Sequence, residues 1–68
     1  MPIDIVVNGE ARTISPGRSI LALLRELDLD PQRVAVELDC RIVKQPRWSD
    51  TLLEPGARVE IVQFVGGG

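Results

Sequence analysis

The residues best suited to chemistry are the last three of the sequence, Gly66, Gly67 and Gly68, together with the α-carboxylate of Gly68. That carboxylate is ionised at neutral pH. Positioned by another enzyme, it can attack the α-phosphate of ATP. The acyl-adenylate so formed is open at its carbonyl to a sulfur nucleophile or an amine. Glycine at that carbon obstructs the approach least, and a triplet without Cβ atoms can thread a gap too narrow for any side chain. Extended, the three residues project the carboxylate about 10 Å beyond whatever precedes them. The competing reading is an unstructured end with no task, as at many chain termini.

Residues 59–65 read VEIVQFV, a strand composition that runs into the glycines without a turn signal. Period-two geometry places Val59, Ile61 and Gln63 on one face and Glu60, Val62 and Phe64 on the other. If Val59 and Ile61 are core, then Val62 and Phe64 face solvent beside Val6. With Val65 they form an apolar patch next to the tail, suited to docking a partner. The opposite register would bury Phe64, so the accessibility of that ring separates the two.

Little else in the chain carries chemistry. There is no histidine, no tyrosine and one cysteine, which removes the commonest general base, a metal cluster and a Cys–His pair. Cys40 falls at an expected turn beside Asp39 and is read as incidental. Trp48 is read as a core anchor in an irregular stretch around Pro46. The acidic residues show no paired spacing for general acid and base work. No catalytic residue, bound cofactor or metal ligand is therefore expected, and ATP would be used by a partner.

Ten acidic and eight basic residues give a net charge of -2, with the basic ones scattered from Arg12 to Arg58. Without a basic stripe, and with only Trp48 and Phe64 as aromatics, nucleic-acid binding is not expected. One cysteine makes no internal disulfide, and no apolar run suits a signal peptide or membrane span, so the cytoplasm is the expected compartment. At 68 residues the chain is one domain, residues 1–68 with a flexible tail at 66–68, burying about 60% of the surface exposed when unfolded.

The elements that must position the tail follow from local signals. Residues 3–7 alternate as a strand, Asn8-Gly9 marks a type I′ hairpin, and residues 11–14 return antiparallel to a break at Ser15-Pro16-Gly17. Ser19 caps a helix of about ten residues with Ile20, Leu24 and Leu27 on one stripe, ending near Asp28 before Asp30-Pro31. Residues 34–38 and 41–44 form two strands around Asp39-Cys40, Thr51 to Leu53 leads to a turn at Pro55-Gly56, and the final strand begins near Arg58. The order ββαβββ predicts an α+β domain with a mixed sheet of roughly four to five strands on one helix. The apolar first and last strands lie side by side and parallel at its centre, which is the β-grasp (ubiquitin-like) arrangement.

Val36-Glu37, Ile42-Val43, Arg47-Trp48, Leu53, Gly56, Val59-Glu60-Ile61-Val62 and Phe64-Val65-Gly66-Gly67-Gly68 together resemble the sulfur carrier proteins of thiamine biosynthesis, the ThiS family. The resemblance spans nearly the whole chain and is densest at its end. It implies that Gly68 is adenylated by a partner adenylating (E1-like) enzyme, converted to a thiocarboxylate with sulfur from a cysteine-derived persulfide, and discharged to thiazole synthase. Gly67 and Gly68 match the paired terminal glycines of the family. Asp39-Cys40 departs from an Asn-containing turn, and Ala57 stands where Asp is common. Two alternatives share the carboxyl chemistry. One is a carrier for another pathway, such as the small subunit of molybdopterin synthase, although that family's prolines are missing from residues 62–65. The other is a ubiquitin-like modifier, whose adenylate is trapped by an amine instead of sulfur.

Overall fold

The computed structural model describes residues 1–64. Five strands and one helix follow in the order β1 (Ile3–Val7), β2 (Glu10–Ile14), α1 (Ile20–Glu26), β3 (Val34–Leu38), β4 (Arg41–Val43) and β5 (Arg58–Gln63). Two short 3-10 turns, Pro31–Arg33 and Gln45–Arg47, bracket β3 and β4.

Asn8 and Gly9 take φ of 50° and 82°, the positive values that a type I′ turn requires at both central residues. The turn sets the antiparallel register of β1 on β2, from Val7 opposite Glu10 to Ile3 opposite Ile14. Helix α1 starts at Ser19, whose side-chain oxygen accepts from the Ala22 N–H at 3.1 Å. The N–H groups of Ile20 and Leu21 donate to the Thr51 and Trp48 carbonyls of the loop before β5, so three of the groups that a helix start leaves unsatisfied have partners. The helix closes earlier than the expected ten residues. Asp28 adopts φ 60°, and the N–H groups of Asp28 and Leu29 return to the carbonyls of Arg25 and Leu24. This is a Schellman ending with aspartate in the place glycine usually takes.

The sheet order is β2-β1-β5-β3-β4. Strands β1 and β5 pair in parallel and every other neighbouring pair is antiparallel. Helix α1 covers one face, and the buried side chains of Ile5, Leu23, Leu24, Val36 and Val59 form the centre of the core. The architecture is the β-grasp fold, with β5 in the middle of the sheet and β1 beside it. Trp48 is only 3% exposed, and its Nε1–H donates to the Val43 carbonyl at 2.7 Å. It is the core anchor expected of it, with its one polar atom satisfied.

Some boundaries move. Strand β2 begins one residue earlier than its apolar run, at Glu10, because the tight turn allows pairing from the first residue after Gly9. Strand β4 stops at Val43, before Lys44, where the chain enters the Gln45–Arg47 turn. Strand β5 starts at Arg58 and ends at Gln63. Gln63 is exposed although it follows Val59 and Ile61 in phase and stands opposite the buried Val34.

Candidate docking surface around the last strand

Strand β5 is gripped along both edges. On the β1 side the backbone ladder runs from the Val6 N–H to the Ala57 carbonyl and from the Asn8 N–H to the Val59 carbonyl. There β1 turns away, and the Asn8 side chain continues the pairing. Its Oδ1 accepts from the Ile61 N–H at 2.7 Å, and its Nδ2 donates to the Ile61 carbonyl at 3.2 Å. A side-chain amide has the same donor and acceptor as a peptide unit, so Asn8 serves as one more residue of β1.

On the β3 side, Asp39 performs a related task. Its N–H donates to the Arg58 carbonyl, and its Oδ1 accepts from the Arg58 N–H at 2.9 Å. Asp39 and Cys40 have φ of 50° and 70°, so this turn is also of the type I′ kind, without a glycine. At the other end the Phe64 N–H donates to the Arg33 carbonyl at 2.7 Å. The strand is thus held up to the last described residue before the glycines.

The register decides which side chains are offered outward. Val59 and Ile61 are buried against the helix side, whereas Val62 is 61% and Phe64 56% exposed. Phe64 is therefore in the outward register and the buried alternative is overturned. Val62 stands opposite Ala35 and Glu60 opposite Glu37. Val6, expected beside the patch, is half-buried and level with Arg58. Val62 is four positions beyond Arg58, about 13 Å along the strand, so Val6 lies at the far end of the open face. The apolar neighbour that takes its place is Ile42, which stands opposite Glu37 and is 76% exposed. The alternation of Arg41, Ile42 and Val43 carried that signal, since Val43 packs on the core and the residue before it must face away.

Cys40 is exposed at its turn. Val65, Gly66, Gly67 and Gly68, which carry the remaining expected site positions, lie outside the described residues. Among the described residues no three His, Cys, Asp or Glu side chains stand together as a metal site would need. No helix among them is long and apolar enough to cross a membrane.

Fold and surface together define a small β-grasp domain whose last strand turns an apolar patch, Val62 and Phe64, outward. The family model described as the ThiS family matches residues 5–68, and the chain belongs to that family of small sulfur carrier proteins. It is 24% identical to the sulfur carrier protein ThiS of Escherichia coli over 97% of this chain and all of that protein. It is also 41% identical to a thiazole synthase of Paramagnetospirillum magneticum over 97% of this chain. The match occupies 20% of that protein, so the chain spans about a fifth of this relative's length. The crystal structure of a thiamine biosynthesis protein (ThiS) from Geobacter metallireducens superposes with a TM-score of 0.80 at 28% identity, covering 97% of this chain and 100% of that one.

Proposed function

We propose that the chain carries sulfur for assembly of the thiamine thiazole, as a co-substrate of partner enzymes and not as a catalyst. The observation that carries this reading is strand β5 itself. It is locked by its inner face and both edges, it turns Val62 and Phe64 outward, and it immediately precedes the terminal glycines in sequence. The family match running through residue 68 and the names of the thiamine-pathway relatives support it.

In the cycle, a carboxylate oxygen of Gly68 attacks the α-phosphorus of ATP on an adenylating enzyme and pyrophosphate leaves. A persulfide anion attacks the acyl-adenylate carbonyl and AMP leaves, giving an acyl disulfide. A thiol then attacks the donor-side sulfur, the S–S bond breaks, and Gly68 retains a thiocarboxylate while the donor departs as a disulfide. On thiazole synthase the thiocarboxylate sulfur bonds to an electrophilic carbon of the substrate, and water then attacks the Gly68 carbonyl and breaks its C–S bond, leaving the sulfur on the substrate and Gly68 as a carboxylate. The chain holds no cofactor in this scheme. Its contribution is a carbonyl free of side-chain obstruction and a surface, Val62, Phe64 and Val65, that presents the tail to each partner in turn.

The test is mass spectrometry of the C-terminal tryptic peptide after incubation with ATP, the adenylating enzyme and a persulfide source. Cleavage after Arg58 releases residues 59–68, which contain no Met, Cys or Trp. An oxygen-for-sulfur exchange therefore cannot be confused with the nearly isobaric oxidation of those side chains. The expected result is that exchange at Gly68, absent when Gly68 is deleted, because the shortened tail places its carboxylate about 3.5 Å short. Recovery of the peptide as an amide on lysine would make the chain a protein modifier. Full sulfur transfer by the deletion variant would overturn the role of Gly68.

A further inference from the structure

The open face of the sheet holds an arrangement that its own stability does not favour. The Phe64 and Asp39 N–H groups donate to the Arg33 and Arg58 carbonyls, and this phase makes Glu37 and Glu60 a directly opposed, hydrogen-bonded pair of the β3–β5 ladder. Like charges placed opposite each other on a sheet destabilise it. Neither carboxylate joins either ion pair among the described residues, Arg18–Glu26 or Arg33–Asp30. Between the two lies a hollow of about 120 Å³, lined by Ala35, Val36, Glu37, Ile42, Glu60 and Val62. Its walls are apolar except for the two glutamates.

An apolar hollow with two carboxylates at its rim has the chemistry of a receptor for one long cationic side chain. The methylene stem of an arginine or lysine packs on Ile42, Ala35 and Val62, and its head bridges the glutamates, as such side chains do when they bury the stem and keep the charge in a polar setting. We propose that Glu37 and Glu60 are specificity-determining residues of the carrier, and that this hollow receives an arginine or lysine of thiazole synthase. This rests on the carrier reading above. The synthase is chosen as occupant because a region homologous to this chain forms part of a thiazole synthase polypeptide in Paramagnetospirillum magneticum. Val62, itself exposed, lines the hollow and lies four positions before Gly66 in sequence, so an occupant of the hollow would contact the same strand that precedes the tail.

The proposal makes two effects move in opposite directions. In E37Q/E60Q the repulsion disappears, so the free protein should melt about 1–4 °C higher. The same variant should bind thiazole synthase about tenfold more weakly and with a flatter salt dependence, having lost a charge-assisted contact. The experiment is thermal melting of wild type and variant, followed by titration of each with thiazole synthase at two ionic strengths and by measurement of thiocarboxylate charging at Gly68. Raised melting temperature, normal charging and weakened synthase binding is the expected result. Equal synthase binding and equal charging by wild type and variant overturn the hollow while leaving the carrier reading intact. A variant that fails at charging but binds synthase normally overturns the choice of occupant. A wild-type chain that neither charges nor binds synthase overturns the carrier reading and this proposal with it.

Discussion

The two faces of β5 are one residue apart in sequence and serve different ends. Inward, Val59 and Ile61 close the core beneath α1, where they belong to the set of side chains that gives so short a chain its stability. Outward, Glu60, Val62 and Phe64 are exposed and take no part in the buried core. The difference shows how one strand can divide its work: one face secures it in the core, and the other stays open, as the proposed carrier role requires.

The largest expected effect tests that division directly. Val59→Ala removes two methyl groups from a fully buried site and should cost about 2 kcal/mol. Phe64→Ala should change stability by less than about 0.5 kcal/mol, as at other exposed positions, yet weaken binding to the adenylating enzyme or the synthase by about tenfold or more, as loss of an aromatic anchor does. Chemical denaturation and a binding titration on both variants decide the matter. A large stability loss in Phe64→Ala with unchanged binding would collapse the distinction between the faces.

A smaller effect is expected at the edge between them. Asn8→Gly keeps the positive φ but removes the amide that pairs with Ile61, and should cost about 1–2 kcal/mol for the two hydrogen bonds left unmade. Amide hydrogen exchange at Ile61 should speed up in step with that loss. Unchanged exchange would mean that the grip on β5 comes from its faces alone.

The sequence made the fold legible where a single local signal was enough. Asn8-Gly9 fixed one hairpin, Ser19 the helix start, and the apolar runs of β1 and β5 their central places. Alternation put Val62 and Phe64 on one face of β5 but left open which face is buried, and only the structure shows Phe64 outward. Contacts between distant residues left no such mark. Nothing near Asn8 says that its amide will meet Ile61, 53 positions away, and a β1–β5 pairing that extends only from Val6 to Val7 could not be phased without coordinates. That is why Val6 was assigned to a patch that Ile42 completes instead. The opposed glutamates were hidden for the same reason, since only the register of β3 against β5 makes Glu37 and Glu60 neighbours.

The smallest expected effect concerns the turn that grips β5 from the other side. Asp39-Cys40 copies the geometry of Asn8-Gly9, with cysteine at a φ of 70° where the first turn has glycine at 82°. A side chain in that region costs about 1 kcal/mol or somewhat more. Glycine would relieve the strain, but it would also give the unfolded chain more freedom, worth roughly 0.4–1 kcal/mol in the opposite sense. Cys40→Gly should therefore stabilise the protein by less than about 1 kcal/mol, the difference between these terms. Cys40→Ser, which keeps a side chain there, should stay close to wild type. Both variants should charge normally at Gly68, because the exposed thiol takes no part in the proposed cycle. If denaturation shows the expected small gain but charging fails in both, Cys40 would be a chemical participant, and the separation of a silent scaffold from a reactive end would have to be redrawn around that turn.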